Sequence, residues 1–452
     1  MSAATEAGSI PEVFELPLAR LAELIATRAL SSHEVVASCL ARIGQVNPVL
    51  NAVVQLRREA ALAEADVADR ALAQGEMRGP LHGIPFTIKD WIDAAGLPCT
   101  GGSIQHRNRM PARDATVVAR LRDAGGILLG KTNVGVRNEV YGRTNNPYNP
   151  LYSPAGSSSG EAAIIAAGGS PLGLGSDSGG SIRQPAHCCG VAGLKPTSGR
   201  VPLTGHFPFI CPTLDPRTVI GPLARHVADL GLALGIIAGV DWQDPSVMPV
   251  PLSDTAEAQL SGTRVALYID HPGFTLDPDM VATTHAAARA LSDAGMHVEE
   301  TSPPGVEDVY QITLDYWRRP ESESPDAWVK GGITDPRGLG PMSTPEQVER
   351  SLFEWDRLRR RMLPFIAEYP VVLSPAASKP AVRHDEDPGG IPYTLTWSLV
   401  GYPAVVVRAG TSAVRMPIGV QVATAPWRED LALAAAAIVE RALGGWCAPS
   451  GR

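Results

Sequence analysis

The sequence predicts a single α/β domain built on a central sheet, and three observations carry that reading. Segments with apolar residues at helical spacing alternate with short apolar runs of strand length along all 452 residues, the pattern of helices laid on a sheet. No repeat period interrupts the alternation, and no linker divides it, so the domain spans 1–452. At 44% hydrophobic and 19% charged residues, this is ordinary globular material with ample length for a large buried core.

N-terminal helices are expected over 16–75. LPLARLAELIATRAL (16–30) carries apolar residues at helical spacing. Ser31 and Glu34 form an S-x-x-E capping box for a second helix through Ile43, stopped near Pro48. An alanine-rich third helix covers 57–74. Residues 79–85 break the pattern, and IPFTIK reads as a strand ending on Lys89. Asp114 is placed to cap the helix ATVVARLRDAGG, whose glycines end it before the strand ILLGK (127–131). A loop of asparagines and prolines (143–155), a small-residue helix (160–167) and irregular chain after Ser181 lead to GVAGLKP. Helices are expected at 225–238 and 278–294, the second lying between strands at 263–269 and 297–300. Residues 302–341 read as irregular and rich in Pro, Gly, Asp and Trp, a length that in a compact domain often shapes a binding site. A charged helix (344–368), the strands PVVLSP, PAVVVRAG and IGVQVAT, and a last helix (428–443) complete the chain.

The bulk numbers exclude several classes. A net charge of −8 argues against nucleic acid as a partner, and the basic run RLRRR at 357–361 reads as a solvated helix face. Six cysteines form no C-x-x-C pair, and the vicinal Cys188 and Cys189 read as small apolar filling, so no metal or cofactor is expected. The N-terminus lacks a basic n-region and an apolar h-region, and no apolar run approaches the ~20 residues of a membrane span. The expectation is a cytoplasmic protein, monomer or homodimer, independent of membranes.

Two short motifs match catalytic patterns and fail on context. Residues 125–132 (GGILLGKT) fit the Walker A letters, but a P-loop needs a strand before the glycines and a helix after the lysine; here a helix ends in DAGG and the strand lies inside the motif. Residues 156–160 (GSSSG) fit G-x-S-x-G, but TNNPYNPLYSPA before them cannot be a central strand, and His187, His206 and His226 offer no distinctive context. A Ser-His-Asp hydrolase is rejected.

GIPFTIKD (83–90), SPAGSSSGEAA (153–163), GSDSGGSIRQPA (175–186) and GLKPTSGRVP (193–202) together form a signature core, 83–202, that resembles the amidase signature family of serine hydrolases. Weaker family-like features extend to GYPAVVV and MPIGVQV. The resemblance implies a central mixed β-sheet flanked by helices on both faces, and a Ser–cis-Ser–Lys triad. Carried over by position, Ser181 is the nucleophile, Ser157 the bridging serine with a cis peptide, and Lys89 the base; the two serines are 24 positions apart, as the family spacing requires. The resemblance also implies an oxyanion hole from the N–H groups of Ser178, Gly179, Gly180 and Ser181, with Ser158, Asp177 and Arg183 in support. Three positions depart from the family pattern: Ala155 and Ser159 stand where glycine is common, and Glu161 where serine is common. None is expected to touch the triad.

The chemistry is coherent by itself. A serine needs a nearby base to be nucleophilic at neutral pH, and a lysine serves only when neutral. Burial beside Ile84, Phe86 and Ile88 is expected to lower Lys89 from ~10.4. A serine hydroxyl donates and accepts at once, which suits a proton bridge. Each residue alone has a plainer reading, as a helix cap, a solvated strand end or a turn; their order and spacing reverse the balance.

The function this implies is hydrolysis of amide C–N bonds, aryl or aliphatic, with carbamates and esters as further substrates. The pocket is expected from segments 136–146, 207–214, 310–328 and 393–397, led by Tyr141, Phe207, Phe209, Trp317 and Trp397, with about half of the aromatic residues there filling core instead. Two alternatives stand beside it: the glutaminase-like subunit of a tRNA-dependent amidotransferase, and a catalytically silent binding protein.

Overall fold

A computed structural model describes residues 13–212, 215–255, 258–318 and 343–449. In chain order the elements are α1 (Leu18–Ala26), α2 (Ser32–Leu50), β1 (Val53–Leu56), α3 (Arg58–Ala73), β2 (Pro85–Lys89), α4 (Thr116–Asp123), β3 (Ile127–Thr132), β4 (Arg137–Asn138), β5 (Gly142–Arg143), α5 (Ser159–Ala166), β6 (Leu172–Asp177), α6 (Arg183–Cys189), β7 (Ala192–Lys195), β8 (Val219–Ala224), α7 (Val227–Ile237), β9 (Arg264–Leu267), α8 (Pro278–Asp293), β10 (His297–Glu300), α9 (Val309–Trp317), α10 (Pro345–Glu368), β11 (Val371–Pro375), α11 (Pro392–Val400), β12 (Ala404–Thr411), β13 (Pro417–Thr424) and α12 (Glu429–Leu443). Eleven strands form one mixed sheet in the order β1-β3-β2-β6-β8-β7-β12-β13-β11-β9-β10. Parallel pairs (β2 with β3 and β6) sit beside antiparallel ones (β6 with β8, β12 with β13).

The sheet is covered on both faces, which the period of two in its strands makes possible. On β12, Val405 and Val407 join a core with α1, α4, α7, α8 and α12, while Val406 points into a second core with α2, α3, α5 and α6. A third core packs α9, α10 and α11 beyond β9 and β11. Among the described residues no helix is long and apolar enough to cross a membrane.

Several expectations need correction. The capping box of Ser31 and Glu34 forms, but α2 runs through Pro48 to Leu50, carrying there the lost N–H donor and the ring crowding that a proline brings to a helix. Asp114 does not cap α4; its carboxylate accepts the Ala95 N–H and pairs with Arg122. The chain after Ser181 is helical as α6, and residues 309–317 form α9 where irregular chain was expected. Strands β1, β6 and β8 and helix α11 were not anticipated. The P-loop reading fails as argued: α4 ends at Asp123 and β3 lies inside the motif.

Candidate active site

Two neighbouring strand ends and one helix start build the site. β2 and β6 run parallel, so Lys89 and Asp177 emerge at the same edge of the sheet. α5 begins at Ser159, one residue beyond the Gly156–Ser157 peptide, which is cis. Ala155 turns the chain into that peptide with φ of 57°, a left-handed conformation that explains why glycine is common there.

Lys89 is fully buried, and its Nζ donates to Ser157 Oγ at 2.6 Å. It also reaches Ser176 Oγ at 3.1 Å and the Ser176 carbonyl at 3.3 Å, and it stands 3.9 Å over the Trp91 ring. Burial pushes Lys89 well below 10.5, with Asp177 and Glu161 pulling it back. The burying neighbours differ from those expected. Ile84, Phe86 and Ile88 belong to the core on the opposite face of β2, since every second side chain of a strand changes face. The Glu161 carboxyl accepts from Thr87, two positions before Lys89 on β2, and from Thr132, the partner of Lys89 on β3.

The loop after β6 carries Ser181. Asp177 organises it by accepting the N–H groups of Gly180 (2.7 Å) and Ile182 (3.1 Å). Arg183 forks onto both Asp177 oxygens at 2.9 and 3.0 Å and continues to the Thr394 carbonyl, Gln421 and Ser398. Burial opposes the Asp177 charge, yet the Arg183 guanidinium outweighs it and the carboxyl falls to about 2. The two serine loops meet where the Ser158 N–H donates to the Ser181 carbonyl at 3.1 Å. Of the four expected oxyanion donors, the Gly180 N–H is held by Asp177, while the amides of Ser178, Gly179 and Ser181 donate to no other described residue.

Several site residues were missed. Ser176 and Trp91 contact Lys89 but stand outside the matched triad positions. A chain of side chains runs from Ser178 Oγ to Thr218 Oγ1 (2.6 Å), on to Asp215 (3.1 Å), and from Asp215 to Arg217. Arg217 lies 3.7 Å from the Tyr316 ring of α9. Antiparallel pairing of Asp177 with Val219 sets this up, a long-range register that carries no local signal.

The expected pocket residues divide. Phe207 and Phe209 come in on a segment docked beside Lys89, with the Phe207 N–H on the Trp91 carbonyl at 2.7 Å. The Phe207 ring is nearly buried under Arg109, while Phe209 is 58% exposed. Tyr141 is half-buried with its hydroxyl bonded to Gln55 on β1. Trp317 packs against the α9–α11 core. Trp397 is fully buried and stacked on Tyr402, so it supplies core and not pocket wall. Residues 319–328 of the expected 310–328 segment lie outside the described residues. His187 bonds the Gly419 N–H and the Lys379 carbonyl and is held to about 4 by burial, a packing role. Among the described residues no group of three or more His, Cys, Asp or Glu side chains could hold a metal ion.

The Amidase family profile matches residues 34–322 and 341–433. The chain belongs to the Amidase family. It is 33% identical to the indoleacetamide hydrolase of Bradyrhizobium diazoefficiens over 94% of this chain and 86% of that protein. It is 34% identical to one of the subunits of the glutamyl-tRNA(Gln) amidotransferase of Desulforudis audaxviator, over 93% of this chain and 94% of that protein. Its fold superposes on a bacterial aryl acylamidase of the amidase signature enzymes with a TM-score of 0.81 at 26% identity, covering 94% and 96% of the two chains.

Proposed function

We propose that this amidase-family protein hydrolyses aryl and aliphatic amides through a Ser181 acyl-enzyme, as a cytoplasmic monomer or homodimer, and that it also accepts carbamates and esters. The observation that carries the reading is the 2.6 Å contact between the buried Lys89 amine and Ser157, on a loop bonded to that of Ser181. Ser181 Oγ attacks the carbonyl carbon as its proton passes to Ser157, whose own proton moves to Lys89 Nζ. The amides of Ser178, Gly179 and Ser181 receive the oxyanion, one such donor being worth ~3–4 kcal/mol in the transition state. The C–N bond then breaks, the proton returns along the same path to the departing amine, and water clears the acyl group by the same relay. Aromatic residues of the docked segment, Phe207 and Phe209, suit an apolar or aryl group.

The test is incubation with aryl anilides, aliphatic amides, carbamates and esters, read by product release and by intact mass. An acyl adduct on the native chain and none on Ser181→Ala is expected; turnover by Ser181→Ala ends the proposal. A second reading, the glutaminase-like subunit of a tRNA-dependent amidotransferase, is favoured by the 34% identity to one such protein over most of both chains. Hydrolysis of aryl amides by the purified chain alone counts against it. Failure of a fluorophosphonate to label Ser181 would favour a silent binding protein.

A further inference from the structure

Glu161 stands in the first turn of α5, fully buried. Thr87 donates to its Oε1 and Thr132 to its Oε2, the latter at 2.6 Å. Those two hydroxyls fix where the carboxyl lies. Thr87 precedes Lys89 by two positions on β2, so both side chains leave the same face, and Thr132 is the partner of Lys89 across the β2–β3 ladder. The carboxyl is thus held on the face of the sheet from which the Lys89 side chain leaves. Gly173, opposite Thr87 on β6, makes room for it: a Cβ there would come within 1.8 Å of Oε1.

A buried carboxylate needs a counter-charge as well as hydrogen bonds. Both hydrogen-bond donors are neutral, and among the described residues no Lys or Arg nitrogen pairs with Glu161 within 4.0 Å. The charged and titratable groups facing Lys89 are Glu161 from α5, Asp177 from β6 and His206 from the docked segment. Asp177 is matched by the Arg183 fork, and burial holds His206 down to about 4, leaving it neutral. Glu161 is therefore the carboxylate not committed elsewhere, and Lys89 is the cation that acts on it.

We propose that Glu161 is a positioning residue that serves as the buried counter-charge of Lys89, stabilising the ammonium formed when the relay delivers the nucleophile's proton. The proposal rests on Lys89 acting as the base. Burial raises the Glu161 carboxyl to about 7, against the two threonine hydroxyls and Lys89, so the counter-charge is present on the alkaline side of neutrality. The site also accommodates the protonated acid. Thr132 Oγ1 lies 3.3 Å from the Ile88 carbonyl, and it can donate there while accepting the acid proton.

The chain contains five lysines, of which Lys89, Lys131 and Lys195 are fully buried, so carbon-13 NMR of lysine-labelled full-length protein resolves each amine, with Lys89→Met assigning the signal. In Glu161→Gln the Lys89 titration should fall by about one pH unit or more, a tenfold change in its proton affinity. The acid limb of kcat/KM should move the same way, and Glu161→Asp should restore part of both. Thr132→Val, which removes one donor to the carboxylate, should shift Lys89 in the same direction by less, and it provides the measurement if Glu161→Gln does not fold. A Lys89 titration unchanged in a folded Glu161→Gln or Thr132→Val protein overturns the proposal. A shifted Lys89 signal in a protein that turns over no amide, carbamate or ester instead refutes the hydrolase reading and leaves the charge pairing standing.

Discussion

Lys89 must be neutral to accept a proton, and its setting works in that direction. Burial drives its amine well below 10.5, while the Trp91 face 3.9 Å away favours the ammonium by a smaller amount. With Lys89 as base, the sign of the pH dependence follows. Protonation of Lys89 abolishes the relay, so kcat/KM should fall on the acid side with one limb well below 10.5, and should not fall as pH rises through that limb. Lys89→Met should remove the limb and lower kcat by about 10²–10⁴, measured on the best substrate of the panel. A wild-type pH profile in Lys89→Met would refute the assignment. Lys89 could be read from the sequence because it ends a short apolar strand inside a long motif. Its charge partner could not, since Glu161 looks like an ordinary first-turn acid of a helix and only the sheet register brings it to Lys89.

At the scale of elements, the site depends on how closely α5 sits against the ends of β1 and β3. The Gly160 N–H donates to the Asn133 carbonyl, and a Cβ at Gly160 would meet the Asn133 nitrogen and the Ala52 oxygen at 2.4 Å. Those are backbone atoms with little room to give. Gly160→Ala should therefore push the start of α5 outward and carry Ser157 away from Lys89. We expect a loss of about 1–3 kcal/mol in stability, read by urea denaturation, and a loss of kcat in the fraction that stays folded. The outer helices and the ILLGK and PAVVVRAG strands were legible because their apolar spacing is strong. β6 (LGLGSD) and β8 (VIGPLA) were not, because glycine and proline disguise central strands whose stability comes from neighbours on both sides. For the same reason the Ser178–Thr218–Asp215–Arg217 chain escaped notice, since it exists only once β6 and β8 pair.

Across the whole molecule, Arg183 ties together three parts of the chain: the Ser181 loop through Asp177, α11 through Thr394 and Ser398, and β13 through Gln421. Removing one partner of a buried pair costs about 3–5 kcal/mol, so Arg183→Met should lower the urea midpoint sharply. Asp177 also links stability to pH. Its carboxyl lies at about 2 in the fold against an ordinary 3.8, so its contribution is complete above about 4 and is lost as pH falls toward 2. That acid-dependent loss should disappear in Arg183→Met, and its persistence there would assign it to other carboxylates. The knot also has a consequence in time. Gln421 lies 238 positions after Arg183, and at 5–20 residues per second the ribosome needs roughly 10–50 s to make that stretch. The Ser181 loop is thus synthesised long before the strand that secures it. A nascent chain therefore carries Ser181 unsecured for about half of its synthesis and completes the Arg183 knot only near the end.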